Sequence, residues 1–172
     1  MALRTDTFDL GGLRLSPGEG RQLELNVVIE PFVLAGERYP VKPYLITTRL
    51  DVSRTTGGGY VLRLRFEASV DGPCMRCLEA AAPTFSVEAR EVQQPGGGEE
   101  LTTPYVEDGV LDLETWARDV LALALPATIM CREDCAGLCP VCGENLNTAE
   151  PGHRHDRGRD PRWAKLSELR FE

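Results

Sequence analysis

The sequence predicts an α+β protein in which a mostly antiparallel β-sheet, open or barrel-like, carries one long helix and a C-terminal zinc-binding module. Three observations predict this class. Apolar and polar residues alternate in several segments of the first hundred residues. A single later segment has a helical pattern, and all six cysteines fall into closely spaced pairs. We expect residues 1–126 to form the sheet and helix, and residues 127–172 to form a cysteine-rich zinc module with a basic tail.

Four segments have the alternation of β-strands, and these are 23–27, 44–54, 60–68 and 84–92. In the clearest one, Leu62, Leu64 and Phe66 share one face while Arg63 and Arg65 share the other. The Gly-rich loop before it predicts a hairpin. We interpret Arg63 and Arg65 as members of a solvated face rather than as phosphate ligands.

Other parts of the first hundred residues lack this alternation. Residues 1–20 are Gly-rich and weakly patterned, and residues 31–43 contain three prolines. Prolines at this density break regular elements, so we expect an irregular connection over 31–43.

The long helix is predicted to follow Asp112, which is a plausible N-cap for Thr115 at the third helical position. Pro126 ends it. Most side chains between these residues are apolar, so the helix should be largely buried, with Trp116 in the core. A short final helix is predicted over 163–169, because Asp160 and Pro161 are a typical N-cap and first-turn pair.

The cysteines predict metal binding. Cys74 and Cys77 are three apart, as are Cys139 and Cys142, and Cys131 and Cys135 are four apart. Paired thiols at these spacings are typical of zinc sites, and Gly143 after the last pair permits the tight turn of a zinc knuckle. The knuckle at 74–77 lies between two predicted strands and should form a hairpin tip. The two histidines of the chain, His153 and His155, follow closely.

Zinc requires four ligands, so the pairs must combine to hold one or two ions. In a first arrangement, Cys74 and Cys77 join Cys131 and Cys135, and the remaining cysteines join the two histidines. In a second, the two knuckles share one ion. In a third, the four cysteines between 131 and 142 form one site. We favour the first because it uses every candidate ligand. It would suit a helical turn between Cys131 and Cys135.

Rival interpretations of the cysteines are three disulfides, a redox-active thiol pair and a catalytic zinc. A reducing compartment disfavours disulfides. Reactive thiols usually lie at helix N-termini, whereas Cys74 should follow a strand. Catalytic zinc keeps an open position, whereas complete four-ligand sets are available here. We therefore expect structural zinc and no enzymatic activity. A zinc-ribbon regulator that binds nucleic acid remains the alternative outside catalysis.

Charge and hydropathy narrow the function further. The net charge of −8 argues against broad, nonspecific binding to nucleic acid. No apolar run approaches the ~20 residues that cross a bilayer, and no secretory signal is visible. We therefore expect a cytoplasmic protein with no membrane partner and no small-molecule substrate.

The last 22 residues differ in charge from the rest, with six basic and four acidic side chains. They could contact RNA or a partner protein locally. The candidate contact residues are Arg154, Arg157, Arg159, Arg162, Trp163 and Lys165.

The second half of the chain resembles a known family. The residues that carry the resemblance are Cys74-Met75-Arg76-Cys77-Leu78-Glu79, Leu123-Ala124-Leu125-Pro126, Cys131 with Cys135, Gly137-Leu138-Cys139-Pro140-Val141-Cys142-Gly143 with Asn145-Leu146-Asn147, and Asp160-Pro161-Arg162-Trp163 with Leu166. This ordered set is similar to the YceD family, also called large ribosomal RNA subunit accumulation protein.

The resemblance implies a non-enzymatic bacterial or plastid factor that supports the accumulation or processing of large-subunit ribosomal RNA. It also implies a link with a zinc-ribbon ribosomal protein of the large subunit. The chain departs from the family pattern at one place, because His153-Arg154-His155 stands where the family commonly has Cys-x-Cys. Exchange of thiol for imidazole preserves zinc binding but makes the ligand set less negative by two charges.

Overall fold

The computed structural model describes residues 3–155. The strands in chain order are β1 (Thr7–Asp9), β2 (Gly20–Val27), β3 (Phe32–Leu34), β4 (Glu37–Tyr39), β5 (Val41–Lys42), β6 (Ile46–Arg54), β7 (Tyr60–Val70), β8 (Gly72–Pro73), β9 (Ala80–Ala81), β10 (Thr84–Gln93), β11 (Val106–Glu107) and β12 (Val110–Asp112). One α-helix, α1 (Leu113–Ala124), lies in this part of the chain, with short 3-10 helices at Gly11–Leu13 and Glu99–Leu101. The final helix predicted over 163–169 lies outside the described residues.

The main sheet has the strand order β10-β7-β6-β2, and β5 pairs with the far end of β7. Each pair of named strands is antiparallel, and the predicted hairpin of β6 and β7 is confirmed. In the described residues β2 does not pair with β10, so the sheet is open and the barrel-like option is wrong. A smaller sheet has the order β1-β12-β11.

The core lies on one face of the main sheet. Alternate residues of β7, including Leu62, Leu64 and Phe66, are buried, as the alternation predicts. Helix α1 contacts β10, β2 and β1, and it buries Leu113, Trp116, Ala117 and Leu121. The predicted core position of Trp116 is confirmed, because none of its surface is exposed.

The predicted start of α1 is also confirmed. The Asp112 side chain accepts a hydrogen bond from the Thr115 backbone N–H at 3.0 Å. This bond satisfies one of the free N–H groups of the first turn. The helix ends at Ala124, before Pro126, as expected.

The prediction of an irregular connection over 31–43 is wrong, and the weakly patterned residues 1–20 also contain a strand. Residues 31–43 contain β3, β4 and β5, because Ala35 and Gly36 both have positive φ (52° and 88°) and close a two-residue hairpin. Residues 1–20 contain β1, which pairs with β12 near the start of the helix. The β3–β4 hairpin and β1 are short, and they are stabilised by the strands and core residues that they contact rather than by a strong alternating pattern of their own.

Tyr39 supports the stem from which the first knuckle projects. Its ring is buried, and its hydroxyl donates a hydrogen bond to the Pro73 carbonyl at 2.9 Å. A Cβ at Gly72 would overlap the same ring, so glycine is required for this close packing.

We predict that Gly72→Ala lowers the free energy of unfolding by about 1–3 kcal/mol, because the methyl group displaces a packed ring. Urea unfolding measures this cost. In a Tyr39→Leu background the same change should cost less, since the ring is gone. Equal costs in both backgrounds would contradict a steric origin.

Candidate metal centres

The first knuckle lies at a hairpin tip, as the sequence predicts. Strands β7 and β10 pair along ten residues, and the short pair β8 and β9 extends them to Cys74 and Cys77. Two backbone hydrogen bonds close the tip. The Cys74 N–H donates to the Glu79 carbonyl at 2.7 Å, and the Leu78 N–H donates to the Cys74 carbonyl at 2.9 Å.

The second knuckle repeats this backbone. The Cys139 N–H donates to the Glu144 carbonyl at 2.7 Å, and the Gly143 N–H donates to the Cys139 carbonyl at 2.8 Å. Leu78 (φ 64°) and Gly143 (φ 77°) occupy equivalent left-handed positions. The two loops therefore present their paired thiols in the same way, although glycine occupies the left-handed position in only one.

The first cluster joins the tip at 74–77 to the chain after the helix. Ile129 is fully buried, and its carbonyl accepts the Met75 N–H at 2.8 Å. This contact places the following residues beside the knuckle. Two Sγ–Sγ distances, Cys74 to Cys135 and Cys77 to Cys131, are 3.8 and 3.7 Å. All four sulfur atoms lie within 4.8 Å of one another.

The segment between Cys131 and Cys135 is a turn and not the helical turn considered above. The Cys135 N–H donates to the Arg132 carbonyl at 3.2 Å, and α1 is the one α-helix in residues 3–155. Asn147 stabilises this turn. Its side-chain oxygen accepts the Ala136 N–H at 2.8 Å, and its amide nitrogen lies 3.5 Å from the Cys135 sulfur.

The environment of the first cluster shifts the pKa values of its thiols in opposite directions. Burial raises the pKa of Cys74, but the backbone N–H groups of Arg76, Cys77 and Cys131 outweigh burial and lower that pKa to about 6. Burial and the neighbouring thiols raise the pKa of Cys131 to about 12. Four adjacent thiols cannot all ionise alone, so a bound cation is needed for a full set of thiolates.

The second cluster contains Cys139, Cys142, His153 and His155, whose ligand atoms also lie within 4.8 Å of one another. The Cys142 Sγ is 3.5 Å from His153 Nε2 and 3.2 Å from His155 Nε2. The two Nε2 atoms are 3.0 Å apart. The chain folds back between the ligand pairs, since the His153 N–H donates to the Glu150 carbonyl at 3.0 Å.

The second cluster is the more exposed of the two. Cys142 and His155 are exposed and only Cys139 is buried, whereas Cys74, Cys77 and Cys135 of the first cluster are all buried. Backbone N–H groups of Cys142 and Val141, together with His153, lower the pKa of Cys139 to about 6. Its thiolate in turn raises the pKa of His153.

The first donor set fits a tetrahedral ion of the size of zinc. In the second set the Cys142–His153 distance of 3.5 Å fits, whereas the distances from His155 to Cys142 and to His153, 3.2 and 3.0 Å, are shorter than such a site requires. A Zn–S bond of about 2.3 Å gives sulfur atoms about 3.8 Å apart, and mixed nitrogen and sulfur ligands about 3.4–3.6 Å apart. The shorter sulfur–sulfur distances of 3.7 and 3.8 Å match the first value. They are far longer than the ~2.05 Å of a disulfide. All six cysteines are free, so the structure contains none of the three disulfides considered above.

The structure thus groups the eight candidate ligands as in the first of the three arrangements. Arg154 is exposed beside the second cluster. The other candidate contact residues, Arg157, Arg159, Arg162, Trp163 and Lys165, lie outside the described residues. Sequence reasoning gave no role to Asn147 or Glu144, although both lie inside the motif of the second knuckle.

Comparison with known proteins identifies the family. A family model described as "Large ribosomal RNA subunit accumulation protein YceD" matches residues 62–170. The chain belongs to this family. The matched region contains both clusters and all eight candidate ligands.

Similar proteins occur in mycobacteria. The chain is 41% identical to a Mycobacterium leprae protein over 102 residues, which is 56% of this chain and 46% of that protein. It is 42% identical over 104 residues to a Mycobacterium bovis protein and to a Mycobacterium tuberculosis protein, which is 57% of this chain and 49% of each relative. All three are described as uncharacterised, and the chain spans about half the length of these relatives. No solved structure gives a significant match.

None of the helices in residues 3–155 has both the length and the apolar character needed to span a membrane.

Leu78 has a left-handed backbone that costs free energy for a residue with a Cβ, whereas the second knuckle has glycine at the equivalent position. A side chain with a Cβ costs about 1–2 kcal/mol in this conformation, which exceeds the extra flexibility cost of glycine, about 0.5–1 kcal/mol. We predict that Leu78→Gly is more stable to urea than Leu78→Ala by up to about 1 kcal/mol.

The matched control is Ser86, an exposed position within β10. There the order should reverse, with Ser86→Ala more stable than Ser86→Gly. The same order at both positions would show that the knuckle does not impose its backbone on Leu78.

Proposed function

We propose that the protein binds two structural zinc ions, one in each cluster, and acts as a ribosome-biogenesis factor for large-subunit ribosomal RNA. The observation that carries the proposal is the family match, which covers both clusters within residues 62–170. The family is named for accumulation of this RNA and not for a chemical reaction. We further propose that the protein is cytoplasmic and has no enzymatic activity.

Burial supports a folding role for the ions. Between Pro126 and His155, Ile129 is the one buried large aliphatic side chain, and the other buried residues are Cys135, Gly137 and Cys139. Such a segment has almost no hydrophobic core. In metal modules of this kind, the free energy of metal binding becomes free energy of folding. We therefore propose that residues 127–172 form a zinc-dependent module attached to residues 1–126.

The charge distribution supports a contact role for the tail rather than for the sheet. Arg63 is paired with Glu88 at 2.7 Å, and Arg65 is paired with Asp51 at 2.5 Å. Guanidinium groups that already have carboxylate partners are poor phosphate ligands. We propose that the basic side chains between Arg154 and Lys165 contact large-subunit RNA or its precursor, directly or through a zinc-ribbon ribosomal protein.

The test of this function is crosslinking in cells, followed by sequencing of bound RNA and identification of bound proteins in the same pull-down. We expect large-subunit RNA or a zinc-ribbon ribosomal protein to be recovered. Replacing Arg157, Arg159 and Arg162 with Gln should reduce recovery, whereas Arg63→Gln should not. Recovery of DNA would favour a zinc-ribbon regulator instead.

We predict that a strong chelator unfolds residues 129–155 while the main sheet persists, because the sheet has its own apolar core. Amide hydrogen exchange should show faster exchange in both knuckles and unchanged protection in the centres of β6, β7 and β10. Added zinc should restore protection. If the metal-free protein kept full protection after Pro126, a structural role of the ions would be contradicted. A reversible loss of reactivity of the cysteine thiols would instead favour redox chemistry.

We predict that Cys135→Ser lowers the unfolding free energy by about 3 kcal/mol or more, because it removes a buried ligand. His155→Ala should cost about 0.5 kcal/mol, since His155 is exposed and its site can bind water instead. Urea unfolding with zinc present measures both. Equal costs would mean that the second cluster contributes as much to stability as the first.

A further inference from the structure

His153 is held from both ends of its imidazole ring. Its Nε2 atom faces Cys142 Sγ at 3.5 Å and His155 Nε2 at 3.0 Å. Its Nδ1 atom lies 2.9 Å from the Glu144 carboxylate. The ring therefore bridges the cluster and a carboxylate that is not itself one of the four grouped ligands.

This arrangement determines which nitrogen can bind a cation. When Nδ1 carries the proton and donates it to Glu144, the lone pair of Nε2 is free and points at the thiols. A carboxylate that accepts the second N–H of a metal-binding histidine also raises the basicity of the ring.

Glu144 is itself fixed in place by the knuckle. Its backbone carbonyl accepts the Cys139 N–H at 2.7 Å, and the neighbouring Asn145 pairs with Leu138 in a β-bridge. Glu144 thus closes the loop that carries Cys139 and Cys142, and its side chain contacts His153. This connection makes the position of His153 depend on the conformation of the knuckle.

We propose that Glu144 is a positioning residue of the second metal site, which selects the Nε2 ligand of His153 and adds a negative charge beside the ion. The inference rests on the proposed binding of zinc by this cluster. Two thiolates and two neutral imidazoles balance the charge of Zn²⁺, whereas the four thiolates of the first cluster exceed it by two. The carboxylate of Glu144 restores part of the negative charge that the histidines lack.

The contact between Glu144 and His153 contributes to metal binding rather than to the overall stability of the fold. The Glu144 side chain is 50% exposed and that of His153 is 18% exposed. A hydrogen bond to a half-exposed carboxylate adds little to the free energy of folding. Loss of an equivalent carboxylate partner typically weakens metal binding by about 10–100-fold.

The first knuckle provides a matched control. Glu79 occupies the position equivalent to Glu144, because its carbonyl accepts the Cys74 N–H at 2.7 Å. The ligands of the first cluster are all thiols, so no imidazole there depends on this carboxylate. Glu79→Ala therefore removes the same group at the same backbone position without affecting a histidine.

The experiment measures zinc affinity at both sites of the full chain by competition with a chromophoric chelator. Glu144→Ala should weaken the weaker-binding site about 10–100-fold and leave the tighter site unchanged. Glu144→Gln, which keeps an acceptor oxygen but loses the charge, should lie between Glu144→Ala and the unmodified chain. Glu79→Ala should leave both affinities within about twofold.

A second readout follows the ring itself. Nitrogen-15 chemical shifts of His153 in the zinc-loaded chain should show a protonated Nδ1 and a metal-bound Nε2, and Glu144→Ala should mix the two modes. Unchanged affinity and shifts in Glu144→Ala would overturn the positioning role while leaving the two zinc sites intact. An unmodified chain that binds one ion, with the His153 shifts of a free ring, would instead overturn the second zinc site.

Discussion

The contact between the hairpin tip and the chain after the helix is the constraint on which the rest of the molecule depends. Cys77 and Cys131 meet although they are 54 residues apart, and Cys74 and Cys135 although they are 61 apart. Ile129 and Met75 bring the two segments together, and beyond Ile129 only the half-buried Met130 and Leu138 of the described residues add apolar packing against the core. Beyond Ile129, order depends on sulfur atoms that would repel one another as thiolates. A divalent cation removes that repulsion and closes a long loop at the same time.

The two knuckles show how one backbone can serve two kinds of site. Both use the same pair of hydrogen bonds around a Cys-x-x-Cys turn, and both need a left-handed residue after the second thiol. Their surroundings differ. The first is buried between the sheet and the returning chain, so it receives two further thiols from a turn held by Asn147. The second lies at the surface, where imidazoles replace thiols and Glu144 takes part in holding one of them.

Sequence patterns predicted the long elements, because their signals are local. Alternation located β6, β7 and β10, and Asp112 and Pro126 marked the ends of α1. Short strands were missed, since β1 depends on a partner about a hundred residues away and the Ala35-Gly36 turn has no strong sequence signal. The grouping of the ligands was the favoured one of three arrangements, because it uses every candidate ligand, but number and spacing alone left the other two open. The roles of Asn147 and Glu144 were not predicted, because a hydrogen bond to a thiol or an imidazole depends on loop conformation that spacing does not encode.

The pairing of charges on the sheet bears on where an RNA or protein partner can bind. Strand register places Arg65 opposite Glu88 and Arg63 opposite Asp51, and the ion pairs form diagonally, from Arg63 to Glu88 and from Arg65 to Asp51. These pairs leave little uncompensated positive charge on that face of an already acidic chain. The Arg-rich sequence begins directly after the second cluster, whose last ligand is His155. A cation bound there would fix His153 and His155 against the second knuckle, directly before this Arg-rich sequence.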